Sequence, residues 1–150
     1  MTVAAIPNFG KQFWMAPAGQ ALVQVAELIS LKNPNPTHGI VDVTTHDSAT
    51  DPDGGVPMEK IKEPVYDPGQ VTGSHHYIAG STMDEMMIAA RNSPEVYDFK
   101  IVVPTTDGAK EELTFSGFVT SYEPQDAPVR GVQVANFTVE VTGVIDQQAA

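Results

Sequence analysis

Residues 111–145 read Glu111-Glu112-Leu113-Thr114-Phe115-Ser116-Gly117-Phe118-Val119-Thr120-Ser121-Tyr122-Glu123-Pro124, a polar connection, then Val134-Ala135-Asn136-Phe137-Thr138-Val139-Glu140-Val141-Thr142-Gly143-Val144-Ile145. Leu113, Phe115, Gly117 and Val119 alternate with Thr114, Ser116 and Thr120, the period of a strand with one buried face. Val139 and Val141 alternate in the same way with Thr138, Glu140 and Thr142. Residues 123–130 between them hold Pro124, Asp126 and Pro128, which cannot donate to a ladder or which favour turns. The spacing predicts a long antiparallel hairpin, with no catalytic residue set in it.

Working backwards from that hairpin, Thr106-Asp107-Gly108 is a turn signal, and residues 97–103 before it alternate as a further strand. Thr82 and Glu85 have the spacing of a capping box. Met83, Met86, Met87 and Ala90 follow at helical spacing until Asn92-Ser93-Pro94 ends the run. Core packing against the sheet accounts for those methionines better than an adaptable recognition stripe. Residues 70–79 read as a strand that Gly80 ends. Residues 49–69 lose periodicity and collect Pro52, Gly54, Gly55, Pro57, Pro64, Pro68 and Gly69, so they are expected to form an external loop that orders on contact with a partner. Residues 40–45 alternate Val41 and Val43 against Asp42 and Thr44, after a stop at residues 33–39 with Pro34 and Pro36. Residues 21–31 read as a first strand, with a short helix as the alternative. In residues 1–19, Pro7, Gly10, Pro17 and Gly19 surround Phe9, Phe13, Trp14 and Met15. This is expected to be an irregular arm that either seeks a partner surface or folds back on its own core.

The fold class is therefore mainly β: a small β-sandwich or half-barrel of about six strands with one flanking α-helix. The domain is expected to span residues 21–145, with an arm at 1–20, the external loop at 49–69 and a C-terminal tail at 146–150.

Composition removes several function classes. The 150 residues hold no cysteine, which excludes a disulfide framework, a thiolate metal site and a cysteine nucleophile. A net charge of −11 argues against a surface that grips phosphate backbones, while a like-charged wall lets a polyanion pass. No run approaches the length of a bilayer span, and residues 1–19 lack the pattern of a signal peptide. His75 and His76 are adjacent in a strand and point to opposite faces, so they cannot chelate one ion together. Asp47, Asp51 and Asp53 before Gly54 have an alternation found in calcium loops, but Glu59 comes too early and prolines interrupt. Turns in a solvated loop explain them. No Gly-x-Ser-x-Gly elbow or phosphate-binding glycine loop is present, and no enzyme activity, cofactor or metal is expected. Asn136-Phe137-Thr138 fits a glycosylation sequon only by coincidence with a strand.

Four stretches taken in order carry a resemblance: Val41-Asp42-Val43-Thr44-Thr45-His46-Asp47-Ser48, Pro68-Gly69-Gln70-Val71-Thr72-Gly73, residues 81–91, and Phe115-Ser116-Gly117-Phe118-Val119-Thr120-Ser121 with Val139-Glu140-Val141-Thr142-Gly143. They resemble the major tail tube proteins of long-tailed, siphovirus-type bacteriophages. The resemblance implies a structural virion protein made in the bacterial host cytoplasm. It would self-assemble into hexameric rings whose sheets join into a lumenal barrel, and the rings would stack into the tail tube. Implied partners are further copies, the tape measure protein, tail tip and terminator proteins, and DNA in transit without tight binding, with no membrane. Within that scheme Glu140, Thr138 and Thr142, and Asp42 more weakly, are expected to line the lumen. Phe13, Trp14, Val56, Met58 and Tyr66 are expected ring-stacking contacts. The alternatives are a tube protein of a secretion system, similar to Hcp, and a monomeric β-sandwich module binding sugar or calcium. The latter would stay monomeric at high concentration.

Overall fold

The computed structural model describes residues 9–105 and 108–150. They form nine strands and one helix. In chain order these are β1 (Gln12–Pro17), β2 (Val23–Gln24), β3 (Leu28–Lys32), β4 (Thr37–Asp42), β5 (Lys60–Asp67), β6 (Gln70–His76), α1 (Thr82–Asn92), β7 (Tyr97–Pro104), β8 (Lys110–Pro124) and β9 (Val134–Ala149). Seven strands make one antiparallel sheet in the order β2-β1-β7-β8-β9-β6-β3, and β4 and β5 pair as a separate two-stranded sheet. The chain divides into two compact units, residues 36–67 and the remainder.

The seven-stranded sheet curls into a half-barrel around its own apolar face. β8 and β9 run side by side through its centre, and the alternation read from sequence holds: Leu113, Phe115, Val119, Phe137, Val139 and Val141 are buried. Two register shifts in this pair, at Thr114/Ser116 and at Val119/Ser121, are the kind of irregularity that increases local twist and bends a sheet. The curl brings together strands that are not neighbours in the ladder. Phe13 of β1 stacks on Phe137 of β9 with centroids 5.3 Å apart, and on Phe99 of β7 at 5.6 Å. At the two ends of the sheet, Lys11 Nζ donates to the Leu31 carbonyl at 3.0 Å, and Val25 N donates to the Phe13 carbonyl at 2.7 Å. Phe99 continues the ring stack to Phe115, and Phe137 continues it to His75 and Tyr122. Aromatic rings offset in this way fill the half-barrel from strand to strand.

Helix α1 covers the core through Met83, Met87 and Ala90, all buried. Its N-cap is Ser81, not Thr82, because the Ser81 hydroxyl accepts from Asp84 N at 3.2 Å. The neighbouring residue has the same cap chemistry, so the capping-box spacing placed the start one residue late. Asp84 is the buried anchor of this turn. Its carboxylate accepts from Gly80 N at 3.0 Å and from the Tyr122 hydroxyl at 2.9 Å. Burial, this hydrogen bond and the Asp84 charge together push the Tyr122 hydroxyl above the ordinary tyrosine range. Arg91, in the last turn, donates to the Tyr122 carbonyl at 3.1 Å, so both ends of α1 hold β8.

Several boundaries differ from the sequence reading. Residues 12–17 are a strand of the sheet and not an irregular arm: Pro17 is its last residue, and Gly10 and Gly19 flank it. Residues 1–8 of the expected arm, and Thr106-Asp107 of the expected turn, lie outside the described residues. The single strand expected over 21–31 is broken in two at Glu27, whose φ of 54° lies in the left-handed region. The stop over 33–39 ends before β4 begins at Thr37. The external loop over 49–69 is shorter than expected, since residues 60–67 form β5. Pro64 is tolerated there because it falls where the β4–β5 register shifts between His38 and Ile40, a position that needs no ladder donor. Residues 146–149 of the expected tail belong to β9, where Asp146 to Ala149 pair with Thr114 to Glu111. The β8–β9 connection runs from residue 125 to 133.

Candidate functional site

The outward face of the seven-stranded sheet is polar and half-covered. Strand alternation and register place Thr138, Glu140 and Thr142 of β9 on it, beside Gln70 and Thr72 of β6 and Ser116 and Phe118 of β8. Three of the four expected lumen residues therefore share one face. Glu140 is not free on it. Gln70 is its cross-strand partner, and the Gln70 amide donates to the Glu140 carboxylate at 2.7 Å. Asp98 of β7 accepts from the Ser116 hydroxyl at 3.3 Å and from Gly19 N at 3.3 Å. Ser30 and Ser74 share a hydrogen bond of 2.8 Å. Lys100 of β7 lies 4.6 Å from the centroid of the Trp14 ring and 3.7 Å from the Glu112 carboxylate. Trp14 Nε1 donates to Gln12 Oε1 at 3.1 Å, which fixes the ring edge. Paired polar groups thus tile this face.

Gln70, Lys100 and Glu112 are not among the site residues expected from sequence. Each sits at an alternating strand position, but its partner is fixed by cross-strand register, which no local pattern carries.

Asp42, the fourth lumen candidate, belongs to the β4–β5 hairpin and so to a different sheet. It caps the residues after it: the Thr44 hydroxyl and Thr44 N donate to its carboxylate at 2.6 and 2.9 Å and hold its pKa below the usual aspartate value. Of the ring-stacking candidates, Phe13 is fully buried in the core, and its contacts are within the protomer. Trp14 lies on the same sheet face as Glu140, since Trp14, Lys100, Thr114 and Asp146 form one cross-strand row.

The remaining candidates, Val56, Met58 and Tyr66, are exposed in the hairpin unit. Every residue of β4 and β5 is exposed, and Ile40 and Val65 reach 67% and 81%. His38 stacks on Tyr66 at 4.6 Å, and its Nδ1 pairs with the Glu63 carbonyl at 2.8 Å. In the loop before β5, Asp51 Oδ1 accepts from Asp53 N and Gly55 N at 2.9 and 2.8 Å, so this carboxylate closes a turn. Among the described residues no group of three His, Asp or Glu side chains is placed to hold a metal ion. None of their helices is long and apolar enough to cross a membrane.

No protein-family model matches the chain, and no curated protein matches it in sequence. Solved structures do match in fold. A chain of the anti-feeding prophage baseplate, in a six-fold symmetrised reconstruction, matches with a TM-score of 0.73 at 10% identity, over 99% of this chain and 97% of that one. A chain of the tail of an empty gene transfer agent particle, with C6 symmetry, matches at 0.73 and 16% identity, over 97% and 100%. The SPP1 tail tube matches at 0.59 and 11% identity, over 96% and 80%. At these identities the likeness is one of fold: a mainly β, curled half-barrel with one helix, as in tail tube chains.

Proposed function

We propose that this chain is a structural subunit of a tail tube of the long-tailed, siphovirus type, assembling into hexameric rings that stack into a conduit for DNA. The observation that carries this reading is the agreement of fold along nearly the whole chain with chains of a tail tube and of a six-fold symmetric tail. Two features of the protomer support it. The sheet ends in short edge strands, β2 and β3, each paired along one side among the described residues, the form in which an open sheet extends into a neighbouring copy. The β4–β5 hairpin exposes apolar side chains on both faces, and an isolated two-stranded hairpin is marginal in water. In this reading Glu140, Thr138 and Thr142 face the channel, while Val56, Met58 and Tyr66 contact the next ring. The tape measure protein fills the tube during assembly in the host cytoplasm, tip and terminator proteins close its ends in the virion, and the protein performs no enzymatic step.

Negative-stain microscopy of the concentrated protein tests the proposal. Rings or tubes with six-fold symmetry are the expected result. A protein that remains monomeric by light scattering at every concentration reached would remove the basis for it.

A further inference from the structure

We propose that the β8–β9 loop is the surface on which the β4–β5 hairpin tip of a second copy docks. The inference rests on the reading that copies stack head to tail, and it supplies the second face of that contact. Within the seven-stranded sheet, the roots of the hairpin and the β8–β9 loop lie at opposite ends of β6. The chain leaves the sheet after Lys32, whose partner is Thr72, and returns at Gln70, whose partner is Glu140. At the other end of β6 His76 pairs with Val134, and Tyr77 N donates to the Gln133 carbonyl at 2.8 Å. Head-to-tail stacking brings unlike ends together, so the end with the hairpin roots of one copy meets the end with the loop of the next. The loop is a fixed projection. Gln125 N donates to the Val134 carbonyl at 2.7 Å, and Gln133 Nε2 donates to the Gln125 carbonyl at 2.7 Å, which closes its base. Beyond that base every residue from 126 to 132 is exposed, Val129 at 105% and Val132 at 60%. Two valines held in water are stabilised only where another apolar surface covers them. The hairpin tip offers one, since residues 43–59 join β4 to β5 and expose Val43, Val56 and Met58. The same residues carry four acids and no lysine or arginine. Arg130, between the two valines, makes no ion pair or hydrogen bond among the described residues. An apolar centre with opposite charges at its rim is the make-up of a contact between copies.

The chain has no cysteine, so disulfide trapping reports only on introduced pairs. Val56→Cys combined with Val129→Cys is polymerised under reducing conditions, then oxidised and run on a non-reducing gel. A covalent ladder that continues past six copies is expected, because each copy links to the one above and the one below. A ladder that stops at six places the contact within a ring, and a disulfide inside one chain places it within a copy. Either result, or unlinked monomer from tubes that have formed, overturns the proposal. Val56→Cys with Val144→Cys is the control: Val144 is also exposed but lies in the half of β9 away from the loop, and about tenfold less linkage is expected. Equal linkage through the two pairs overturns the proposal as well. If the first pair does not polymerise, Met58→Cys with Val132→Cys carries the same readout. Wild-type protein that forms no tubes removes the stacking reading and this contact with it, whereas wild-type tubes without the ladder remove the contact alone.

Discussion

Gly117 shows how much one residue constrains the centre of the sheet. It lies on β8 opposite Val141, and a Cβ built there would collide with the backbone carbonyl oxygen of Glu140 and approach Val139 Cγ1 to 3.2 Å. A flexible side chain yields to a methyl group; a ladder carbonyl does not. Gly117→Ala is therefore expected to force β8 and β9 apart and to destabilise the protomer by about 1–3 kcal/mol, read as a lower denaturant midpoint with an unchanged slope. Because Glu140 is the residue displaced, the same variant shifts a side chain of the outward polar face from the buried side. Glu27 presents the opposite case, a side chain in the left-handed region where glycine is usual. Its carbonyl accepts from His76 N at 3.2 Å, and its carboxylate lies 3.5 Å from His76 Nδ1. Those contacts hold the bend that separates β2 from β3.

At the scale of elements, what was legible in sequence follows what each element buries. The β8–β9 pair and α1 each have one wet face and one dry face, so their periods of two and of three to four residues appear in the residue order. β5 exposes every residue; with no dry face there is no alternation, and its Pro64 looks like a loop residue. β1 does alternate, with Phe13 and Met15 inward and Trp14 outward, but six residues between turn signals were too few to outweigh the prolines and glycines around them. The polar face was legible as a face and illegible as a network, since the partners of Glu140 and Lys100 come from other strands. The exposed hairpin carries its own prediction. Amide hydrogens of β4 and β5 should exchange much faster than those of β8 and β9 in the isolated protomer, and should become protected on assembly. Hydrogen exchange followed by mass spectrometry checks this, and equal protection in both states would show that the hairpin takes no part in the contact.

At the scale of the whole molecule, charge opposes the proposed assembly. The chain carries −11, and residues 36–67 contribute seven acids and two lysines to that balance, 2 − 7 = −5 with histidines neutral. Bringing many such copies together accumulates like charge, which salt screens over about 30 Å at 0.01 M and about 8 Å at 0.15 M. The concentration needed for polymerisation should therefore fall as salt rises through that range, measured by light scattering. An assembly driven by pairs of opposite charge would respond in the other direction.

The order β2-β1-β7-β8-β9-β6-β3 also sets a timetable for synthesis. β1 waits for β7, β3 waits for β6, and β6 in turn pairs with β9, the last strand described. A nascent chain that has emerged only as far as α1 thus lacks the two strands that form the middle of its sheet. Such long-range pairing makes folding slow and late. The β2 edge can form with β1, β7 and β8 alone, but the β3 edge joins the sheet only through β6 and β9, so any contact between copies that needs both edges waits until β9 has been made.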